Sequence, residues 1–232
     1  MAIFESDAKT QQYKVRYELK GIELKGNWKN GIAYDIHTVS STYLGQDEFG
    51  HDRYDNKRSE MGELVYQLKY KHDETVVQKI VDLLMQIKGL EKMNSIIAIP
   101  PSNLQREHQP VFSIAIELGK RLSIPVFTDY LMKNSSEELK SVTDPSKRVE
   151  LLKKSMRINK KHDINNQNVL LLDDLYRSGS TLQVATELLY NNCNVKDVYV
   201  LTMTKTRYQR ILQSSKKIQK TTWRIYKKTK QK

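Results

Sequence analysis

The chain is poor in residues and segments that cross-link a protein or anchor it to a membrane. A single cysteine, Cys193, among 232 residues excludes a disulfide framework and a cysteine-rich zinc site. No run approaches 18 consecutive apolar residues, so we expect no transmembrane helix. The first ten residues, MAIFESDAKT, contain acids and no apolar h-region of a secretory signal. We therefore expect a cytoplasmic protein without membrane contact, in which Cys193 is a small buried residue rather than a nucleophile.

Acidic residues are missing from the C-terminal tail. Eleven of the 39 basic residues lie between Lys205 and Lys232, which leaves 28 basic against 27 acidic residues in the rest of the chain. Almost all of the net charge of +12 therefore lies in this tail. Tyr208, Trp223 and Tyr226 are interleaved with the charges, a pattern typical of nucleic-acid binding. A solvated basic tail without a partner is the alternative.

Two common glycine-rich phosphate loops are also absent. No GxxxxGK[ST] sequence occurs, and no GxGxxG sequence follows a strand-like segment. These absences exclude a Walker A nucleotide site and a dinucleotide-binding fingerprint of that form.

The most informative segment that is present reads VLLLDDLYRSGSTL, at Val169–Leu182. Its first four residues form a continuous apolar run, as in a strand buried on both faces of a parallel sheet. Asp173 and Asp174 follow, at the strand end where ligands bind in such sheets. The loop at 177–181 precedes a helix-like stretch, and the backbone N–H groups of a helix start bind phosphate. The segment therefore predicts a phosphorylated ligand that also presents a sugar diol or a magnesium ion to the two carboxylates.

Two alternatives share parts of this pattern. Paired aspartates after an apolar strand also occur in response-regulator receivers and in phosphatases with an aspartate nucleophile. A loop of small polar residues before a helix can be an N-cap alone. The order of acids, loop and helix favours the ligand site.

The segment resembles the phosphoribosyl-pyrophosphate (PRPP) motif of type I phosphoribosyltransferases. In that motif four apolar residues and two acids precede a loop that commonly reads Thr-Thr-Gly-x-Thr. Ser178, Gly179 and Thr181 keep this pattern, whereas Arg177 stands where a small hydroxyl residue is usual.

The resemblance extends over about residues 62–206. Ser95–Ser102 resembles the strand and turn that carry the family's pyrophosphate loop, and Lys133–Asn159 resembles its variable lid. Gly62–Tyr70 resembles the segment before the core in the competence-protein (ComF-like) branch. The zinc ribbon of paired cysteines that commonly begins ComF proteins is missing here, so its role is not carried over.

The resemblance implies transfer of ribose 5-phosphate from PRPP to an unidentified acceptor, with release of pyrophosphate. Magnesium would be bound through PRPP rather than directly by the protein. Asp173 and Asp174 would bind the ribose hydroxyls and favour the positive charge that develops on the ribose. The remaining implied site residues are Arg177, Ser178, Gly179, Ser180 and Thr181 for the 5′-phosphate, Ser102, Asn103 and Arg106 for pyrophosphate, and Lys140, Lys147 and Arg148 in the lid. A simple turn after Pro100-Pro101 is the alternative for Ser102 and Asn103.

Alternating strand and helix patterns predict an α/β fold with a parallel sheet flanked by helices, that is, a type I phosphoribosyltransferase-like core. Residues 1–60 are expected to form a small β-rich element, 61–206 the core and 207–232 a basic tail. The predicted segments are helices at 76–87, 111–122, 149–156 and 181–190, strands at 96–99, 124–127 with Leu131, 169–172 and 198–203, and a polar loop at 46–60. Asp73 is the predicted N-cap of the first helix, and Gly89 its terminator. His51 and Asp52 lack a second ligand cluster, so we expect no metal site there.

Two functional classes follow. In the first, the protein is a phosphoribosyltransferase of nucleotide metabolism, and the resemblance implies a homodimer. In the second, it is an accessory or regulatory protein of the same fold that binds nucleic acid through residues 205–232. The intact acid pair, Gly179 and Thr181 favour the first class, and the charge segregation after Lys205 favours the second.

Overall fold

The computed structural model describes residues 21–101, 108–134, 142 and 144–207. In chain order the elements are strands β1 (Ile22–Glu23), β2 (Asn30–Ile36), β3 (Thr38–Gln46) and β4 (Asp52–Arg58), helices α1 (Glu60–Tyr70) and α2 (Val76–Leu84), strand β5 (Ser95–Ala98), helix α3 (Pro110–Leu122), strands β6 (Val126–Phe127) and β7 (Leu131–Lys133), helix α4 (Pro145–Ser155), strands β8 (Met156–Ile158) and β9 (Asn168–Tyr176), helix α5 (Ser180–Cys193) and strand β10 (Asp197–Lys205). The predictions for Ser102, Asn103, Arg106, Lys140, residues 1–20 and the tail from Tyr208 lie outside the described residues.

A six-stranded sheet in the order β1-β2-β10-β9-β5-β6 forms the centre of the fold. All neighbouring strands from β2 to β6 pair in parallel, and β1 runs antiparallel to β2 at one edge. The connections β5–α3–β6 and β9–α5–β10 each carry a helix between two parallel strands of this sheet. The predicted α/β class, with a mostly parallel sheet and flanking helices, is confirmed.

Both faces of the sheet are covered, which explains the continuous apolar run in β9. Successive side chains of a strand point to opposite faces. Leu170 and Leu172 therefore pack with α1, α2 and α3, whereas Val169 and Leu171 pack with α4 and α5. All four side chains are at most 2% exposed. In the described residues no helix is long and apolar enough to cross a membrane.

The N-terminal part of the chain contributes directly to this sheet. Strands β1 and β2 lie at its edge, and β2 pairs with β10 through Ile32 opposite Leu201. The described part of the expected N-terminal element is thus β-structure, of which β1 and β2 continue the central sheet while β3 and β4 form a separate two-stranded sheet. The domain boundary at residue 60 stays a prediction.

The predicted polar loop at 46–60 is wrong. Strand β4 pairs antiparallel with β3, and Tyr43 and Tyr54 lie opposite each other with ring centroids 5.4 Å apart. Most residues on both faces of this hairpin are exposed, so its sequence lacks the apolar alternation by which strands are recognised. Cross-strand pairs such as the two tyrosines stabilise the hairpin instead.

Several helix and strand boundaries also differ from the predictions. Helix α2 ends at Leu84, well before Gly89, and its N-cap position is Thr75. Asp73 lies in the preceding turn, where its Oδ1 accepts the backbone N–H of Thr75 at 3.0 Å. Leu131 belongs to β7, which pairs with β8 outside the central sheet. Helix α4 begins four residues earlier than predicted, because the side chain of Asp144 caps it.

Helix α1 depends on a close approach at Gly62. The side chain of Ser59 accepts the Gly62 N–H at 3.0 Å, and a Cβ at Gly62 would overlap the carbonyl oxygen of His37. The missing side chain therefore lets α1 pack closely against the end of β2.

Replacing Gly62 with alanine tests this packing. In an ordinary helix the change stabilises by up to about 1 kcal/mol. Here the overlap with backbone must be relieved by moving α1, so we expect the free energy of unfolding to fall by about 1–3 kcal/mol. Urea denaturation followed by circular dichroism measures the difference, and a variant more stable than wild type would contradict the close approach.

Candidate ligand-binding site

The two adjacent aspartates lie within β9 rather than after it. The strand runs on to Tyr176, and β10 stays paired with it to that point, whereas β5 pairs only as far as Leu172. Beyond the end of β5, one side of β9 is therefore open at Asp173. The crossovers from β5 and from β9 lead to opposite edges of the sheet, so this opening is a topological switch point. Ligands of open α/β sheets bind at such points.

Asp174 has a cation as its partner. Lys69 of α1 places its Nζ 2.6 Å from Oδ2 of Asp174, and the two side chains are only 23% and 15% exposed. The Thr204 hydroxyl also donates to the Asp174 backbone carbonyl at 3.2 Å. Partial burial strengthens the Coulomb attraction between the two groups, and removal of either partner would leave the other charge uncompensated.

The environment of Asp173 disfavours the charged form of its carboxyl group. Burial raises the pKa of its carboxyl to about 8, and the neighbouring charge of Asp174 acts in the same direction. The backbone N–H of Asp174, which donates to Oδ1 of Asp173 at 2.8 Å, and the charges of Lys69 and Lys133 oppose this rise. Near neutral pH a share of the Asp173 carboxyl groups therefore holds a proton.

The loop after β9 turns sharply into α5 at Gly179. This residue has a φ of +78°, and a Cβ there would lie 2.6 Å from the Tyr176 hydroxyl. Glycine adopts this φ without strain, and any side chain there would displace the Tyr176 ring. The Ser178 and Ser180 hydroxyls lie 3.0 Å apart, and the Ser178 hydroxyl also accepts the Ser180 N–H at 3.5 Å. The N-cap residue Gly179 provides no side-chain cap, so the other first-turn amides can serve an external acceptor.

Two adjoining cavities connect the acids with this loop. The first, of about 110 Å³, is lined by Asp174, Lys69 and Lys133 among others. The second, of about 220 Å³, is lined by the loop residues at 175–182. Arg148, Asp173 and Thr181 line both cavities. The result is a single pocket region with two carboxylates, several cations and a helix N-terminus.

Most of the predicted site residues that the structure describes meet in this region. The residues that line the cavities are Arg148, Asp173, Asp174, Arg177, Ser178, Gly179, Ser180 and Thr181. Lys147 does not: its side chain is exposed, and its backbone N–H is bound by the capping Asp144 at 3.0 Å. The ligand-binding roles of all these residues stay predictions.

Sequence reasoning missed two lysines of the pocket. Lys69 directly follows the buried Leu68 in α1, and nothing in the helix pattern shows that its side chain reaches a strand 105 residues away. Lys133 falls within the predicted lid, but no ligand-binding role was predicted for it. Lys133 lies two residues after Leu131 in a short strand, and residues two apart in a strand point to the same face. This spacing could have indicated that the Lys133 side chain is buried with that of Leu131.

The donor set suits magnesium only as part of a larger ligand. No cluster of three or more His, Cys, Asp or Glu side chains that could hold a metal occurs in the ranges that the structure describes. The pocket offers two carboxylates, one of which is bound to Lys69. Mg²⁺ usually binds through one or two carboxylates together with substrate phosphates, so these residues fit a magnesium–phosphate ligand.

The raised pKa of Asp173 has a measurable effect on stability. Between the unfolded pKa of about 4 and the higher folded value, the folded protein holds more protons than the unfolded chain. The Asp173 contribution to the free energy of unfolding therefore falls as pH rises from about 4 to about 8, by at most about 1.4 kcal/mol per pH unit. Burial lowers the pKa of the half-buried His37, so below its ordinary pKa the His37 contribution to the free energy of unfolding rises with pH. A variant that changes Asp173 alone is therefore needed to separate the two contributions.

Asp173→Asn provides that comparison, since it retains an acceptor for the Asp174 N–H. We expect the variant to gain stability relative to wild type as pH rises, measured by urea denaturation between about pH 5 and pH 8. Asp82→Asn, on the exposed surface of α2, leaves Asp173 in place and should keep the wild-type profile. A pH-independent difference between wild type and Asp173→Asn would refute the raised pKa.

No family model and no curated protein matches this chain. Among solved structures it is similar to adenine phosphoribosyltransferase from Thermoanaerobacter pseudethanolicus, with 13% identity and a TM-score of 0.38 over 71% of this chain and 95% of that one. Orotate phosphoribosyltransferase from Aeropyrum pernix shares 14% identity, with a TM-score of 0.39 over 71% and 78% of the two chains. A hypothetical protein from Neisseria gonorrhoeae with bound ppGpp shares 17% identity, with a TM-score of 0.34 over 61% and 74%.

Proposed function

We propose that this protein binds PRPP with magnesium and transfers ribose 5-phosphate to an acceptor, with release of pyrophosphate. One observation carries the proposal: Asp173, Asp174 and the N-terminus of α5 line adjoining cavities that share Asp173 and Thr181. Two carboxylates suit the 2′ and 3′ hydroxyls of a ribose, because each accepts hydrogen bonds. A helix N-terminus suits the 5′-phosphate.

The loop from Arg177 to Thr181 is the proposed 5′-phosphate site. Positive φ at Gly179 and its missing side chain allow a phosphate to approach the backbone of the helix start. The hydroxyls of Ser178, Ser180 and Thr181 supply further donors at the same end of α5. Arg177 is exposed at the rim and would add a charge-assisted contact.

The acid pair would act on the reacting sugar. Positive charge develops on the ribose as its bond to pyrophosphate breaks, and carboxylates fixed beside it stabilise that charge. In the free protein Lys69 compensates Asp174, and Asp173 is partly protonated. Magnesium, when bound with PRPP, would supply charge neutralisation at the phosphates.

The cations of the pocket would receive pyrophosphate. Arg148 lines both cavities and would pair with the leaving group from the lid side. Lys69 links the pocket to α1, the helix that contains the segment resembling the ComF-like branch. We therefore include α1 in the proposed transferase core. The predicted homodimer and the class of acceptor are left to experiment.

Calorimetric titration of PRPP and magnesium into the full chain tests the proposal. We expect wild type to bind and Asp173→Asn/Asp174→Asn to lose at least about tenfold in affinity, because charge-assisted hydrogen bonds contribute about 1.5–3 kcal/mol each. Asp82→Asn, distant in the fold on α2, is the matched carboxylate control and should bind like wild type. A folded wild-type protein that does not bind would overturn the proposal, and unchanged binding by the double variant would refute the position of the ribose.

The charge of the tail favours a second function, nucleic-acid binding. Eleven basic residues and no acids lie between Lys205 and Lys232. If the tail binds phosphates, the logarithm of affinity falls with the logarithm of salt concentration, with a slope of about −0.9 per bound phosphate on duplex DNA. Replacing Lys216, Lys217, Lys220 and Arg224 with glutamine should make this slope shallower by about 0.9 for each phosphate that the variant no longer binds.

Fluorescence anisotropy with a labelled duplex at several salt concentrations measures the slope. The matched control replaces four exposed lysines of the core, Lys153, Lys154, Lys160 and Lys161, and should keep the wild-type slope. Equal slopes for tail variant and wild type, or no binding at low salt, would exclude this function for the tail.

A further inference from the structure

Lys133 has a largely buried side chain that lines the pocket. In β7 the side chains of Leu131 and Lys133 are 1% and 8% exposed, whereas Met132 between them is 47% exposed. The strand therefore directs Lys133 inward, opposite the buried Met156 of β8. Lys133 lines the first cavity together with Arg148, Asp173 and Thr181.

This amine has no close partner among the residues that the structure describes. The charged groups that line the same cavity are Lys69, Arg148, Asp173 and Asp174. Asp174 already pairs with Lys69 at 2.6 Å, while Lys133 forms no hydrogen bond or ion pair with Asp173 or with any other described residue. Within the described residues the amine therefore faces the cavity unpaired, and a ligand in the cavity can become its partner.

The electrostatics of the pocket favour the neutral amine. Burial lowers the pKa of Lys133, and the positive charge of Arg148 lowers it further, while Asp173 raises it. A neutral lysine amine is a nucleophile, and desolvation beside another cation is a recognised way to produce one. The partly protonated Asp173 lies in the same cavity and can act as a proton donor.

The neighbouring helix end defines the ligand class. Thr181, Arg148 and Asp173 are shared between the cavity that holds Lys133 and the cavity at the N-terminus of α5. A molecule whose phosphate lies at that N-terminus can therefore reach the amine with a second group. We propose that Lys133 forms an imine with a phosphorylated aldehyde, such as the open-chain form of a sugar phosphate, whose phosphate binds at the N-terminus of α5. This inference rests on the phosphate site of the proposed function.

The reaction needs no oxidant or reductant. The Lys133 nitrogen attacks the aldehyde carbon and forms a C–N bond, and one N–H proton passes to the former carbonyl oxygen to give a carbinolamine. The Asp173 carboxyl then donates its proton to the hydroxyl group, which leaves as water as the C=N bond forms. The remaining N–H proton returns to the Asp173 carboxylate. Amine and aldehyde thus become imine and water, and hydrolysis reverses the step.

Pyridoxal 5′-phosphate is a suitable probe, because its imine has an absorption band distinct from that of the free aldehyde and borohydride reduces it to a stable adduct. The full-length protein is incubated with a substoichiometric amount, reduced, digested and mapped by mass spectrometry. Because the pKa of Lys133 is lowered, a larger share of its amine is neutral than at an exposed lysine, so we expect Lys133 to react faster than any other lysine and to carry most of the label. Inorganic phosphate should slow the reaction, and pyridoxal without its phosphate should react far more slowly at Lys133.

Two variants control the labelling. Lys133→Arg keeps the charge but cannot form an imine, so the fast-reacting fraction should disappear. Lys153→Arg, which changes an exposed lysine paired with Glu187 on α4 and α5, should leave it intact. Ribose 5-phosphate with cyanoborohydride should give the corresponding adduct at Lys133. Modification spread evenly over the lysines of wild type would overturn the inference even if Lys133→Arg failed to fold.

Calorimetry with PRPP and magnesium on the same preparation separates this inference from the proposed function. Binding of PRPP with no preference for Lys133 in the labelling refutes the imine and leaves the transferase proposal standing. Selective labelling of Lys133 that inorganic phosphate slows, without binding of PRPP, refutes the transferase proposal and supports the imine.

Discussion

The site depends on two adjacent carboxylates that are held within a strand of the central sheet. Backbone pairing with β10 fixes Asp173 and Asp174 in place, and the alternation of a strand sends their side chains toward opposite faces. The paired backbone cannot change conformation at this point, so neither carboxylate can be carried out into bulk water. The surrounding structure must therefore compensate two negative charges at a fixed position, and it does so differently for each.

The compensating groups come from elements that are distant in sequence. Lys69 arrives on α1, whose approach depends on Gly62, whereas Lys133 and Arg148 come from β7 and α4 on the other side of the acids. The short β5 leaves the space in which these groups meet. Asp174 gains a direct ion pair, while Asp173 is left with longer-range interactions and a raised pKa. Two neighbouring, chemically identical residues thus differ in what surrounds them: Asp174 is held in an ion pair with Lys69, and burial raises the pKa of Asp173.

Local patterns in the sequence predicted the frame of the site well. The apolar run before Asp173 predicted β9, because a strand buried on both faces is continuously apolar. The amphipathic stretch after Gly179 predicted α5, because a helix with one buried face has apolar residues at helical spacing. The hairpin of β3 and β4 has no such apolar pattern in its sequence, because most of its residues are exposed. Lys69 and Lys133 could not be assigned either, because a lysine in the pocket differs from a surface lysine only in what the tertiary structure places around it. The acid pair, in contrast, stands out in the sequence because it directly follows the continuous apolar run at 169–172.

The ion pair between Lys69 and Asp174 turns ligand binding into an exchange. A ligand that takes over Asp174 must first separate it from Lys69, and the freed ammonium then needs an anionic group of the same ligand. One set of paired charges replaces another, with few counterions released to the solvent. The part of the affinity that comes from this exchange should therefore change little with ionic strength, whereas binding of a basic segment to a polyanion weakens steeply as salt is added.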